Sequence, residues 1–500
     1  MSDKILVVSI PRLEPHRPPI SAAIVATVCE NHGHQVEAVD LNIKFYHYCK
    51  DQEINYYSFD SVWDKYRLPT QQELDFVDNF IIKFQTDYNL SSYKYIMLSV
   101  FGMSNHFFAD RLLAKIGPNR PFKILVGGSG AFTSIKGNTL ESFVGYFKRV
   151  NLIDDYIKGE CEETLPLYLD GLNGKGINNL DPAQIENLDT LPLLDYKHFD
   201  LDAYDYIEKV RDIYIEGSRG CVRKCTYCDV ASFWPKYRFR SGEHIAREII
   251  HNYEYHGVQK FYFTDSLVNG SLKSFSNMCE ILTNYQFADQ IKWGGQFIFR
   301  NKKTVSPEHF EMISKAGGGT FYVGIETGSD RIRQEMGKNF TNDDIEYQLE
   351  QFQKNKLHCT FLMFPGYVTE TLQDHQETLA MLPRWKKYVA SGTINGLELG
   401  QPLLILEETP LSRMIDTYKI KFVDSQEIAI NGLWRSEINP DLDFVERVKR
   451  QLEIYEHAAE HKWPIWRFTS RVIALKNLLE SFYSIQDVSP GYKTIMMKTL

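Results

Sequence analysis

The chain has 500 residues, 43 % of them hydrophobic and 24 % charged, with a formal net charge of −9. The length implies more than one core, and the composition is that of a folded protein, not a disordered one. The acidic balance excludes a generally basic face and, with it, non-specific nucleic-acid binding.

The first element is an apolar, β-branched run, Ile5 to Ile10, that reads as a buried strand. It is too short for the central region of a secretion signal, and no apolar run elsewhere is long enough to span a bilayer, so the expected location is cytoplasmic. Ile20 to His32 has helical spacing, Gly33 stops it, and Gln35 to Val39 alternates like a strand. That βαβ unit predicts a parallel sheet with helices on its faces. Residues 42–90 interrupt the rhythm; rich in aromatics (Phe45, Tyr46, Tyr48, Tyr56, Tyr57, Trp63), they read as an inserted, mainly helical segment. Strands resume at Tyr95–Val100, Phe122–Val126 and Asp155–Lys158, with a helix around 105–116. Several of these strands end in small residues, where a ligand of an open parallel sheet approaches the backbone. Residues 171–210, with Pro182, Pro192 and many Asn and Asp, read as a connector.

A second α/β series follows, with strands at Asp212–Glu216, Lys260–Thr264, Ile291–Phe297, Thr320–Ile325, Cys359–Phe364 and Gly396–Leu399. Helical patterns separate them, among them Glu243–Tyr255, Ser306–Lys315, Asn342–Asn355 and Thr371–Met381. Six strands alternating with helices fit an open, partial version of the (β/α) TIM barrel, whose chemistry sits at the carboxyl ends of its strands. From about 405 the pattern turns purely helical, most clearly at Val445–His457 and Trp466–Phe482. The expected architecture is α/β: a Rossmann-like parallel-sheet domain over 1–170, a connector over 171–210, a partial barrel over 211–404 and a helical C-terminal domain over 405–500.

Eight cysteines are present, of which Cys29, Cys49, Cys161, Cys279 and Cys359 are scattered as small buried hydrophobes would be. A reducing compartment argues against disulfides. Cys221, Cys225 and Cys228 instead fall in C-x3-C-x2-C spacing directly after the first strand of the second series. Three thiolates on a tight loop suit an iron–sulfur cluster or zinc. No fourth Cys or His lies at zinc-ribbon spacing, the nearest candidate being His244. A 4Fe-4S cluster on three thiolates leaves one iron open to a ligand, and Arg223 and Lys224 lie between the cysteines to moderate its charge.

With Tyr227 ahead of the third cysteine, the segment reads C-x3-C-x-aromatic-C and resembles the radical S-adenosylmethionine (SAM) superfamily. Tyr237 to Ile249 is similar to the Arg-x-Arg-Ser-x-Glu stretch of the cobalamin-linked members, and Phe261 to Gly270 matches their second strand. Phe321 to Ser329 resembles the Gly-Ile-Glu-Ser-Gly-Ser fourth strand, and Leu362 to Gly366 the fifth-strand Pro-Gly turn. The resemblance implies SAM bound at the open iron and cleaved reductively to a 5′-deoxyadenosyl radical. It implies SAM contacts at Tyr227, Thr264, Asp265, Gln296, Arg300, Glu326, Thr327, Pro365 and Gly366. Thr264 and Asp265 would take the methionine amine, Glu326 the ribose or methionine part, and Pro365 and Gly366 the adenine. An electron donor such as flavodoxin or ferredoxin is implied as partner.

Residues 4–165 resemble the cobalamin-binding domain that precedes the radical SAM domain in one subfamily. The matching positions are Pro18, Pro19, Gly33, His34, Val36, Asp40, Leu98 to Val100, Val126 to Ser129, and Lys158 to Glu160. Cobalamin contacts are implied at Ser99, Gly102, Gly127, Gly128, Ser129, Gly159 and Glu160. The Asp-x-His-x-x-Gly motif that supplies a lower cobalt ligand elsewhere is absent, and the alternative is a sheet domain kept only as a scaffold. His34 and His106 are candidate cobalt ligands by residue type alone, and Trp434, Trp463 and Trp466 either line a substrate pocket or form core.

The leading expectation is a cobalamin-dependent radical SAM methyltransferase acting on a carbon of a small-molecule or peptide substrate. The alternatives are a cobalamin-free radical SAM cyclase or rearrangement enzyme, and a non-catalytic iron–sulfur or cobalamin sensor.

Overall fold

The computed structural model describes residues 2–63, 68–133, 141–171, 184–422, 432–466 and 468–484. The chain divides into two compact units, Met1–Ile215 with Arg247–Lys260, and Glu216–Ala246 with Phe261–Leu500.

The first unit holds β1 (Lys4–Ser9), α1 (Ile20–Asn31), β2 (Gln35–Asp40), α2 (Leu41–Asp51), α3 (Asp60–Trp63), α4 (Gln71–Asp87), β3 (Tyr95–Ser99), α5 (His106–Ile116), β4 (Lys123–Gly127), α6 (Phe143–Arg149), β5 (Asp155–Tyr156), α7 (Cys161–Leu169) and β6 (Asp212–Ile215). Five strands form a parallel sheet in the order β2-β1-β3-β4-β5. Ile5, Leu6, Val7 and Val8 are buried in succession, as expected of a strand covered on both faces. The register sets Ser9 opposite Asp40 and Ser99, and Ser99 opposite Gly127, so four carboxyl ends finish level. The strand order turns between β1 and β3, which makes that crevice the topological switch point.

The insertion at 42–90 is helical in its described part and belongs to the core. The Phe45 ring meets Tyr56, Phe59, Trp63, Phe76, Phe80 and Phe108 at centroid distances of 5.1–6.1 Å. Thr70 and Glu73 close a capping box at the start of α4. The described part of the expected connector, 184–210, is also integral to this unit. Leu188, Leu194, Tyr196 and Tyr204 are buried, and Tyr204 donates to Asp40 at 3.0 Å. Its apolar residues are spaced irregularly between Pro192 and many acids, so periodicity could not reveal the packing.

The second unit holds β7 (Ser218–Arg219), α8 (Val230–Phe233), β8 (Arg238–Phe239), the start of α9 (Gly242–His256), β9 (Lys260–Phe263), α10 (Leu272–Thr283), β10 (Lys292–Phe297), α11 (Pro307–Lys315), β11 (Gly318–Glu326), α12 (Asp330–Glu335), α13 (Asn342–Lys354), β12 (His358–Met363), α14 (Leu372–Arg384), α15 (Lys386–Ala390) and β13 (Ile394–Leu399). Neighbours run β13-β12-β11-β10-β9, and all six strands expected from the sequence are present. Capping boxes at Thr341 and Asp344, and at Thr371 and Asp374, start α13 and α14.

The C-terminal region departs from a purely helical pattern. β14 (Ile420–Phe422) pairs antiparallel with β15 (Trp434–Ser436) before α16 (Phe444–Glu460) and α17 (Phe468–Ser484). Trp434 and Ser436 turn inward and Arg435 outward, an alternation too short to stand out in the sequence. At the far side of the sheet, the Leu397 amide donates to the Pro464 carbonyl at 2.8 Å and Leu397 bridges Ile465 in parallel. No helix among the described residues is long and apolar enough to cross a membrane.

Candidate active site

The three clustered cysteines lie on a closed loop. β7 and β8 pair antiparallel, Ser218 with Phe239 and Arg219 with Arg238, and the Arg240 amide donates to the Gly217 carbonyl at 2.8 Å. Asp265, just past β9, fixes the base of this loop: it accepts from the Gly217 amide at 2.8 Å and from the Ser218 hydroxyl at 2.5 Å. Glu216 and Arg219 form a bidentate pair at 2.7 and 2.8 Å beside it. Inside the loop the Arg223 amide donates to Cys221 Sγ at 3.3 Å. Cys221, Cys225 and Cys228 are free and partly exposed, whereas Cys29, Cys49, Cys279 and Cys359 are buried. Burial pushes the Cys228 thiol up to about 11, so a bound metal must drive off its proton.

Glu326 closes β11 in a left-handed conformation, φ +64°, that turns its carboxylate toward the cysteine loop. It accepts from the Tyr227 hydroxyl at 2.9 Å and pairs with Lys338 at 2.8 Å. Lys338 also donates to the Gly324 carbonyl at 2.7 Å. Burial alone would pull its ammonium down, but Glu326 and Cys225 hold it up. The Met336 carbonyl takes the Thr226 amide at 3.0 Å, so the turn carrying Lys338 is tied to the cysteine loop. Nothing local in the sequence singles out Lys338; only the return of the chain after α12 brings it here.

The other expected SAM contacts occupy the same strand ends. Thr264 is exposed beyond β9 and Gln296 is half-buried on β10. Arg300 donates to the carbonyls of Asn269 and Gly270 at 2.5 and 3.0 Å. Thr327 is buried, its hydroxyl 2.9 Å from that of Thr378. Pro365 and Gly366 form a buried turn after β12, with Gly366 at φ +84° and its amide donating to Glu370 at 3.0 Å. A Cβ at Gly366 would come within 2.4 Å of Arg447. Arg447 is buried, stacks over Trp434 at 3.7 Å, and donates to the carbonyls of Leu403, Gly432 and Trp434 at 2.8–3.2 Å. Trp434 and Trp463 are therefore core, while Trp466 is exposed.

In the first unit the loops beyond β1, β3 and β4 are knitted together at the switch point. The Asn105 amide group donates to the carbonyls of Ile10 and Arg12 at 2.8 and 3.1 Å, and its oxygen accepts from the Gly102 amide at 2.6 Å. A Cβ at Gly128 would come within 2.3 Å of the Val100 carbonyl. Ser129 donates to the Phe101 carbonyl at 2.6 Å, and the Ser99 and Ser21 hydroxyls lie 2.8 Å apart. Gly127 ends β4, and Gly159, at φ +80°, precedes Glu160. Glu160 is buried and accepts from the Ile185 amide at 2.9 Å.

The two candidate histidines separate. His34 accepts from the Asp3 amide at 3.2 Å, at the amino ends of β1 and β2, opposite the strand ends expected to carry a ligand. His106 shares a hydrogen bond with the Gly130 carbonyl at 2.7 Å and lies against Phe143. Cys29 is buried within α1 and Cys161 begins α7.

A parallel sheet alternating with helices, with a three-cysteine loop after its first strand, is the arrangement that the resemblance to radical SAM domains implies. The radical SAM superfamily matches residues 215–382 of this chain. An uncharacterized methyltransferase of Pyrococcus horikoshii is 26 % identical over 245 residues, 45 % of this chain and 52 % of that protein. The cytidylyl-2-hydroxyethylphosphonate methyltransferase of Streptomyces wedmorensis is 23 % identical over half of this chain and 49 % of its own length. The anaerobic magnesium-protoporphyrin IX monomethyl ester cyclase of Synechocystis is 28 % identical over 145 residues, 26 % of this chain and 29 % of the enzyme. The chain thus spans about half, or less, of the curated relatives it matches. Among solved structures, the radical SAM methyltransferase TsrM from Kitasatospora setae has a TM-score of 0.61 at 15 % identity, covering 84 % of this chain and 76 % of that one. OxsB, a cobalamin-dependent SAM radical enzyme solved with aqua-cobalamin, has a TM-score of 0.59 at 15 % identity, covering 99 % and 75 %. At such identities the likeness is one of fold.

Proposed function

We propose that the protein is a cobalamin-dependent radical SAM methyltransferase that acts on carbon. The observation that carries the reading is the closed loop presenting Cys221, Cys225 and Cys228 beside a buried Glu326. The donor set fits a 4Fe-4S cluster: three free thiols on one loop, one of them already accepting a backbone amide. Bound there, the cluster would supply one electron and an open iron for SAM, and a corrin in the first unit the transferable methyl group. Glu326 would accept from the SAM ribose, its orientation set by Tyr227 and its charge balanced by Lys338. Thr264, exposed at its strand end, would take the methionine ammonium. Asp265 acts one step back, as a positioning residue for the loop base. Gln296, Arg300, Thr327, Pro365 and Gly366 would complete the SAM pocket. Ser99, Gly102, Gly127, Gly128, Ser129, Gly159 and Glu160 would border the corrin. TsrM and OxsB, which their structures hold with cobalamin, support this reading through likeness extending over both units.

A second reading, a radical SAM cyclase that transfers no methyl group, is favoured by the likeness to the Synechocystis cyclase. Anaerobic purification with cobalamin supplied, followed by SAM turnover under strong reductant, separates the two. Bound corrin with both 5′-deoxyadenosine and S-adenosylhomocysteine supports the methyltransferase. 5′-Deoxyadenosine alone, without corrin, supports the cyclase. Neither product from protein with a filled cluster would favour a sensor.

A further inference from the structure

In the first unit, well away in sequence from the three cysteines, the segment before β6 is clamped to α9. The Leu194 amide donates to Glu248 at 2.9 Å, and its carbonyl accepts from Asn252 at 3.0 Å. These side chains, four residues apart, hold the backbone on one helix face. The next residue, Asp195, has one carboxylate oxygen fixed by the Lys197 amide at 2.9 Å and by His256 Nε2 at 2.7 Å. Its second oxygen lies 3.9 Å from His251 Nε2, beyond hydrogen-bond reach. The three donor atoms all lie within 4.8 Å of one another. The His251 ring is braced by Tyr255 at 4.7 Å. A hydrogen bond accounts for His256 but leaves His251 aimed at the carboxylate across a gap. A tetrahedral ion with bonds of about 2.0–2.2 Å holds its ligands a little over ~3 Å apart, so small side-chain rotations would close the set around one.

We propose that Asp195, His251 and His256 form a zinc site, with water in the fourth position. Two imidazole nitrogens and one carboxylate select a borderline divalent transition metal over calcium or magnesium, which prefer all-oxygen shells. The side chains are 17–28 % exposed, which gives the ion and its water a way in. Binding needs a bare Nε2 on His256, so the proton there moves to Nδ1 by exchange with solvent when the ring is neutral, and leaves to solvent when the ring is charged. The carboxyl end of α9, at His256, favours a cation. The ion would staple the 190s segment to α9, independently of any radical chemistry.

The test uses anaerobically reconstituted holoprotein, so that the three clustered cysteines are already filled. Zinc is titrated against a chromophoric chelator, and retained zinc is counted by elemental analysis. Wild type should hold one zinc beyond the cluster iron, and H251N and H256N should each weaken it at least tenfold. Zinc should raise the melting midpoint of wild type and not of the double variant. A second group, His457, Glu460 and His461, is the obvious competitor; H457N/H461N should leave the stoichiometry unchanged. No retained zinc at micromolar free metal, or zinc lost from H457N/H461N and not from H251N/H256N, overturns the proposal.

Discussion

Lys338 Nζ lies 2.8 Å from Glu326, and both side chains are nearly sealed from solvent. Glu326 also takes the Tyr227 hydroxyl, so one carboxylate joins the end of β11 to the cysteine loop. Removing the cation alone leaves a charge with nothing to balance it. K338M is expected to lose about 3–5 kcal/mol in denaturant unfolding. K338M/E326Q should recover a large part of that loss, because the uncompensated charge is gone. Equal losses in the two variants would show that the pair is not coupled.

Asp265 gives the stability a pH signature. Burial pushes its carboxyl up to about 7, against hydrogen bonds from Ser218 and Gly217 that favour the charged form. The folded chain therefore holds this proton longer than the unfolded one, whose value is about 3.9. The stabilisation is complete below about pH 4 and is lost as pH rises through about 7. Melting profiles from about pH 5 to about pH 8 should show wild type declining relative to D265N, whose side chain does not titrate. Parallel profiles would mean that Asp265 is ionised throughout.

Gly366→Ala tests the turn after β12. A left-handed backbone costs a residue with a Cβ roughly 1–2 kcal/mol, and this Cβ would also press on Arg447 at 2.4 Å. Thermal melting should fall by several degrees, with a weaker affinity for SAM. An unchanged melting point would mean that Arg447 yields freely.

Asn105 offers a test confined to the first unit. N105A deprives the Ile10 and Arg12 carbonyls and the Gly102 amide of a partner, at about 1–3 kcal/mol for each group left buried and unpaired. Corrin retained after desalting should fall at least tenfold while cluster iron stays at the wild-type level. Parallel loss of both would indicate general misfolding.

The regular parts of the fold were legible because their signals are periodic. The expected strands at 260–264 and 359–364 form at Lys260–Phe263 and His358–Met363, and the helix expected from Ile20 ends at Asn31, two residues before Gly33. The cysteine loop was legible because three thiols at fixed spacing are rare by chance. What escaped was carried by single contacts that follow no period. Lys338 meets Glu326 only through the return of the chain after α12, and Asp265 meets Gly217 across 48 residues of sequence. The 184–210 segment escaped for a related reason: Pro192 and several acids separate its buried Leu188, Leu194 and Tyr204 at irregular spacing. The β14–β15 pair is too short to generate a period.

An unclosed barrel has a price that a closed one avoids: its last strand offers a row of free amides and carbonyls to any strand that drifts past. Here the Leu397 amide is already taken by Pro464, and Ile465 runs alongside β13 as a short substitute partner. The stretch between α16 and α17 thus acts as a guard against edge-to-edge polymerisation, a task separate from anything the cysteine loop does.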